Sequence, residues 1–194
     1  MSAESSALAD ALADFGRSAS GAGLPDDVAA WIEAAGRLRD RPDDAYALLE
    51  RARDAAPTHP APLIALYRFH FYAHQLAQAR AVGEAALALV RSALGPRFGN
   101  VPPGSDAVRD DVAVRFHLFV LKGLAYLNLR LGDADAARVQ LNELRHLDPD
   151  DQIGGALLMH VLMRHERNVD LVDEDELLRA HPARGWGELT EAGR

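Results

Sequence analysis

Apolar positions along this chain recur every three or four residues in blocks of helical length, and short polar, glycine or proline turns separate the blocks. The first pair of blocks predicts a helix from about Asp26 to Arg39, a turn at Asp40-Arg41-Pro42, and a second helix from about Asp43 to Ala55. Asp26 and Asp43 are the expected N-caps, and Pro57 stops the second helix. The second pair places Leu63, Leu66, Tyr67 and His70 on one helix and Ala79, Val82, Ala86 and Leu89 on the next, with a turn near His74-Gln75 between them. No proline closes that second helix, so it is expected to run on to Leu94. A third pair carries Leu121, Leu124 and Ala125 before a Gly132-Asp133 turn, and Ala137, Leu141, Leu144 and Leu147 after it. No stretch reads convincingly as a strand.

These pairs superpose in a 34-residue frame, which marks stacked helix-turn-helix repeats. The frame gives repeats at 26–59, 60–93 and 118–151, a degenerate fourth at 152–185, and an insertion at 94–117, together forming a repeat domain over 24–185. A flexible segment, 1–23, precedes it with a short stripe of Leu8, Leu12 and Phe15, and a tail, 186–194, follows. The fourth unit predicts a helix through Ala156, Leu157, Val161 and Leu162 and an acidic second helix near Leu171 to Ala180, a terminal cap with a polar outer face. Within the insertion, Val101-Pro102-Pro103-Gly104-Ser105 excludes a helix. After it, Ser105 or Asp106 can cap a helix whose stripe Val108, Val112, Phe116 continues into Phe119, so the third unit is expected to start early and project from the stack. The insertion is either a tolerated surface loop or a lid or partner contact beside a groove.

Leu124-Ala125, Gly132-Asp133, Ala137 and Leu147-Asp148-Pro149, with Ala45, Ala52, Pro57, Ala79 and Ala86 in the same frame, resemble the tetratricopeptide repeat family. Small residues at these positions let helix backbones approach closely. The chain departs from the family at Ala29 and Gly36, which replace its tryptophan and tyrosine, and at His74, where a glycine is usual. The resemblance implies an all-α superhelix of three to four repeats, the plain alternative being an all-helical bundle. It further implies a concave groove lined by the first helix of each unit. The groove positions are Trp31, Arg37 and Leu38; Ile64, Arg68, Phe71 and Tyr72; Phe119, Lys122, Tyr126, Leu129 and Arg130; and His160, Met163 and Arg164. After Asp27 they include no carboxylate, so the expected partner is a protein or peptide segment with acidic and apolar side chains. The carboxylate clamp of the family's chaperone-binding members is absent, since Ala30, Ala34, Ala65, Phe119 and Gly123 stand at its positions. Two stretches, Ala65-Leu66-Tyr67-Arg68-Phe69-His70-Phe71-Tyr72 and Arg115-Phe116-His117-Leu118-Phe119 running on to Leu131-Gly132-Asp133, are similar to small repeat proteins encoded among bacterial nitrogen-fixation genes. That likeness implies an accessory factor whose client is a nitrogenase component or an assembly factor.

Net charge is -8, which argues against a general nucleic-acid or anionic-membrane binder. Lys122 is the only lysine among 21 cationic side chains. Without cysteine, thiolate metal sites and cysteine nucleophiles are excluded. The acidic N-terminus lacks the basic start of a secretory signal, and the uninterrupted apolar runs are shorter than a bilayer span, so a soluble, cytoplasmic protein is expected. His70 and His74, four apart, could begin a metal site on a continuous helix; His160 and His165 fit a common face less well. The run Asp170, Asp173, Glu174, Asp175, Glu176 lacks the pattern of a calcium loop and reads as a solvated helix N-terminus. No phosphate loop or nucleophile elbow is present, so no catalytic, cofactor or metal residue is assigned.

Overall fold

The computed structural model describes residues 23–38 and 40–178, and the predicted stripe at Leu8, Leu12 and Phe15 and the tail 186–194 lie outside them. The described residues form eight helices and no strand: α1 (Asp26–Arg37), α2 (Pro42–Ala55), α3 (Pro60–Tyr72), α4 (Leu76–Leu94), α5 (Ser105–Asp110), α6 (Val112–Leu131), α7 (Ala134–Leu147) and α8 (Ala156–Leu178). Short turns join α1 to α2, α3 to α4 and α6 to α7, and each pair packs as a helical hairpin. The hairpins meet through neighbours in order, α2 on α3, α4 on α6 and α7 on α8.

The local chemistry explains the turns. At the ends of α3 and α6 the chain enters the left-handed region, at His74 (φ 57°) and Gly132 (φ 81°). The amides just beyond reach back to the helix, Gln75 N–H to the His70 carbonyl and Asp133 N–H to the Asn128 carbonyl, at 2.9 Å in both cases. His74 therefore occupies the position that Gly132 fills in the next hairpin. The small residues of the repeat frame are all inside: Ala45, Ala52, Ala79, Ala86, Ala125 and Ala137 are buried at the contacts between helices. Gly83 on α4 belongs with them, since a Cβ there would stand 2.8 Å from the Leu124 side chain of α6.

Several expectations are corrected. Asp26 and Asp43 lie in the first turns of α1 and α2, whose caps are Pro25 and Arg41. Neither Ser105 nor Asp106 caps a long third-unit helix. The chain breaks after α5, and Asp111 caps α6 by accepting from Ala113 N–H and Val114 N–H. Nor does this region project, because Val108, Val114 and Phe116 are buried. The insertion folds back along α6 and α7: Phe98 meets the His117 ring at 5.2 Å, the Gly99 carbonyl lies 3.2 Å from His146 Nε2, and Ser105 donates to Asp150. In the fourth unit α8 continues unbroken through Leu178, so no second helix begins near Leu171, and the acidic run lies toward the C-terminal end of α8 rather than at a helix N-terminus. Its buried stripe is Leu158 and Leu162, while Leu157 and Val161 face outward.

By length and composition α6 could cross a bilayer, with mean hydropathy 1.3 over its most apolar stretch. Arg115, His117 and Lys122 interrupt its apolar runs, so the sequence reading passed over it. Of that stretch 67% is buried within the protein, which makes α6 the central core helix, packed by α4, α5, α7 and α8.

Candidate functional site

The faces of α3 and α6 converge on a set of rings. Phe71 stacks on Tyr67 at 5.8 Å, meets Tyr72 edge-on at 5.8 Å, and reaches across to Tyr126 of α6 at 5.9 Å. Arg130 donates to the Tyr126 hydroxyl at 2.8 Å and lies over the same ring. Toward the other end of α6, Arg115 stands 5.5 Å from the Phe119 ring. Such cation–ring contacts hold a guanidinium in place while leaving its charge available. Phe71 and Tyr126 are half-buried and Tyr72 and Arg130 exposed, so the cluster forms a floor of rings with cations beside it. Arg68, one turn before Tyr72, is half-buried and has no ion pair among the described residues.

Beneath this floor lies a cavity of about 20 Å³ lined by Leu63, Ile64, Tyr67, Gly83, Phe116 and Phe119. The buried Tyr67 hydroxyl has no hydrogen-bond partner among the described residues. Burial, with Tyr126 nearby, pushes its pKa far above the usual phenol value and keeps it neutral.

The remaining predicted groove residues are dispersed. Trp31 packs within the first hairpin against Val28, Ala52 and Ala56, with Arg51 4.1 Å from its ring centroid. Ile64 and Phe119 are core residues, and Leu38 and Leu129 pack against the core from its edge. Arg37 pairs with Glu33 on the surface. Lys122 donates to the Ile153 carbonyl at 2.8 Å and so ties α6 to the α7–α8 connection. His160, Met163 and Arg164 are exposed on α8. The first two also line a second recess of about 290 Å³, between α7 and α8, with Leu141, Leu144, Arg145 and Met159.

Sequence reasoning passed over Arg115, Arg145 and Met159, and also Tyr46, which meets Phe69 and His70 at 5.8 and 5.5 Å on the α2–α3 side. Arg145 could not be read from groove positions, because it lies on α7 and the first helices alone do not define the recess, and Met159 stands on α8 outside the groove positions.

The histidine pair does not converge. His70 is buried with Nδ1 2.7 Å from Gln75 Oε1, whereas His74 lies beyond the end of α3 in the left-handed turn. No three His, Asp or Glu side chains among the described residues come together as a metal site. One further polar network, buried at His117 and open to solvent at Arg91, ties α4, α6 and α7: His117 Nε2 lies 3.1 Å from Glu143, which also accepts from Arg91 at 2.6 Å. The His117 hydrogen bond, reinforced by Arg91, holds the Glu143 pKa below the usual carboxylate range against the opposing effect of burial.

The fold defines a class, an all-helical protein of consecutive packed hairpins, with a ring-and-cation face on α3 and α6. Over 134 residues the chain is 34% identical to a protein of Azotobacter chroococcum mcd 1 described as an "Uncharacterized 19.8 kDa protein in nifW 5'region". The match covers 63% of this chain and 71% of the relative, and the chain belongs to the same family as that protein. No protein-family model matches the chain, and no solved structure does.

Proposed function

We propose that this protein is a non-catalytic, tetratricopeptide-like adaptor of the cytoplasm, its consecutive hairpins stacked as a curved array. In this reading it holds an acidic and apolar segment of a client protein against the α3–α6 face. The client is a nitrogenase component or one of its assembly factors. The observation that carries the binding reading is the Phe71–Tyr126 contact across two helices, with Arg130 fixed on Tyr126 and Arg68 left without an ion pair among the described residues. Rings and arginines in such an arrangement are the usual anchors of a protein interface. The buried alanines at the helix contacts and the neighbour-to-neighbour packing support the array. The nitrogen-fixation link rests on the relative's place in a nifW 5' region and on the two stretches quoted above.

The test is titration of purified nitrogenase components and assembly factors onto the protein. At least one should bind, and Arg68→Glu or Tyr72→Ala should weaken that binding at least tenfold (about 1.4 kcal/mol) with the melting temperature unchanged. Binding that ignores both substitutions rejects the face, and no binding by any of these proteins rejects the client. Lys122→Glu is a poor probe, because losing the bond to the Ile153 carbonyl would disturb the α7–α8 connection as well.

A further inference from the structure

The first helix of each hairpin is covered along one side by the helix that follows it, α1 by α2, α3 by α4 and α6 by α7. Helix α8 has no such follower among the described residues. Beside it lies the recess of about 290 Å³ between α7 and α8, floored by Leu141 and Leu144 and walled by Met159 and Met163. The repeat frame identifies what belongs there. In the earlier unit α7 lies along α6 and reaches α4 through the Arg91–Glu143 ion pair at 2.6 Å, over the seam between a second helix and the first helix that follows it. The recess is that seam one unit later, with its cover missing. Ala125 of α6 is fully buried, whereas Met159, its counterpart on α8 in the 34-residue frame, is only partly so. Leu129 packs against the core, whereas its counterpart Met163 is 54% exposed.

The lining specifies the kind of helix that fits. Two leucines and two methionines match an apolar stripe, and methionine re-packs around side chains of different shape. Two acids also line the recess, but backbone amides occupy both. Asp148 accepts from Gln152 N–H at 3.0 Å and Ile153 N–H at 2.7 Å, and Asp151 from Gly155 N–H at 2.6 Å and Ala156 N–H at 3.0 Å. Arg145 and His160 are exposed at the edge, and Arg145 has no ion pair among the described residues. One unit earlier α4 offers Arg91 and the covering helix α7 answers with Glu143; here α7 offers Arg145 and no described acid answers. The described chain does not turn back to supply the cover, because α8 runs unbroken to Leu178, about 22 Å past Met163.

We propose that the α7–α8 recess is a docking site for an amphipathic helix of another protein, its apolar stripe on Met159 and Met163 and a carboxylate on Arg145. The recess shares no residue with the α3–α6 face, so either site can fail without the other.

Methionine methyl NMR on the selectively labelled full chain tests the proposal, since its three methionines are Met1, Met159 and Met163. The probe is a helix-forming peptide of about 18 residues with a leucine stripe flanked by glutamates. It should shift the Met159 and Met163 signals and leave Met1 in place. Exchanging its glutamates for lysines should weaken binding about tenfold, and Arg145→Glu should invert that preference. Met163→Glu should weaken the glutamate peptide with helical circular dichroism unchanged, since the side chain is mostly outside the core. Recess signals that no peptide moves overturn the proposal, as does equal binding by the glutamate, lysine and scrambled peptides. Recess signals of the free protein that change on dilution show a second copy seated there. Their broadening by a nitroxide placed on Ala183→Cys shows the chain's own C-terminal segment seated there, and either result overturns the assignment to another protein's helix.

Discussion

His74 shows how one residue can carry both a legible signal and a cost. The repeat frame marks its position as one where glycine is usual, and the backbone there is left-handed (φ 57°), a region that L side chains enter at a penalty of about 1 kcal/mol. The imidazole is exposed and offsets none of that strain by packing. His74→Gly should therefore raise stability by about 0.5 to 1 kcal/mol, the relief of strain being partly offset by the greater freedom of glycine in the unfolded chain. Urea denaturation of the two proteins measures this, and a lower midpoint for the glycine variant would contradict the strained-turn account. Lys122 shows the opposite case. Its charge and groove position were readable, but its bond to the Ile153 carbonyl was not, because that partner is brought in by the α7–α8 connection. Pattern alone could name the residues at risk of being functional and could not separate those that the fold had already employed.

At the scale of elements, spacing identified α1 to α4 and α7 to within a few residues, and α6 at its C-terminal end, because each has an amphipathic stripe bounded by a turn residue. It failed where two signals competed. The stripe Val108, Val112, Phe116 runs in helical phase straight through Asp111, and periodicity alone joined α5 to α6. The structure breaks them because Asp111 adopts an extended backbone and its carboxylate accepts from Ala113 N–H at 2.9 Å and Val114 N–H at 3.0 Å. A cap outcompetes a continuous helix when it satisfies two amides that would otherwise lack partners. Asp111→Ala should cost about 1 kcal/mol, read as a lower melting temperature, whereas Asp111→Asn or Asp111→Ser should retain most of the stability. Equal loss in all three would show that the carboxylate acts through its charge and not as a cap. The α8 stripe was read in part, Leu162 correctly and Leu157 and Val161 in place of Leu158, because a run of apolar residues offers two adjacent faces and only packing against α7 selects one.

Across the whole molecule, the distribution of buried side chains predicts the order in which parts open. The largest fully buried residues lie mostly on α3, α6 and α7, among them Leu66, Leu118, Leu121, Leu124, Leu127, Leu141 and Leu144. The first hairpin joins this core through Ala35, Ala45 and Leu49, with the partly buried Ile32, Leu38 and Leu48, and its remaining buried residues form the small cluster of Val28, Ala52 and Ala56. Helices that contact mainly their neighbours share stability along the chain, so a terminal hairpin with little buried area should open without waiting for the centre. Native-state hydrogen exchange followed by mass spectrometry should show the amides of α1 and α2 exchanging well before those of α6. Their opening should respond weakly to denaturant, because little surface is exposed. A substitution such as Ala52→Gly should then speed exchange in the first hairpin and leave α6 unchanged. If α1, α2 and α6 exchange together with one common denaturant dependence, the molecule opens as a single cooperative body, and the neighbour-by-neighbour account of its stability fails. The ring face on α3 and α6 sits on the slowest part of this gradient, the rigid placement that a preorganised binding surface requires.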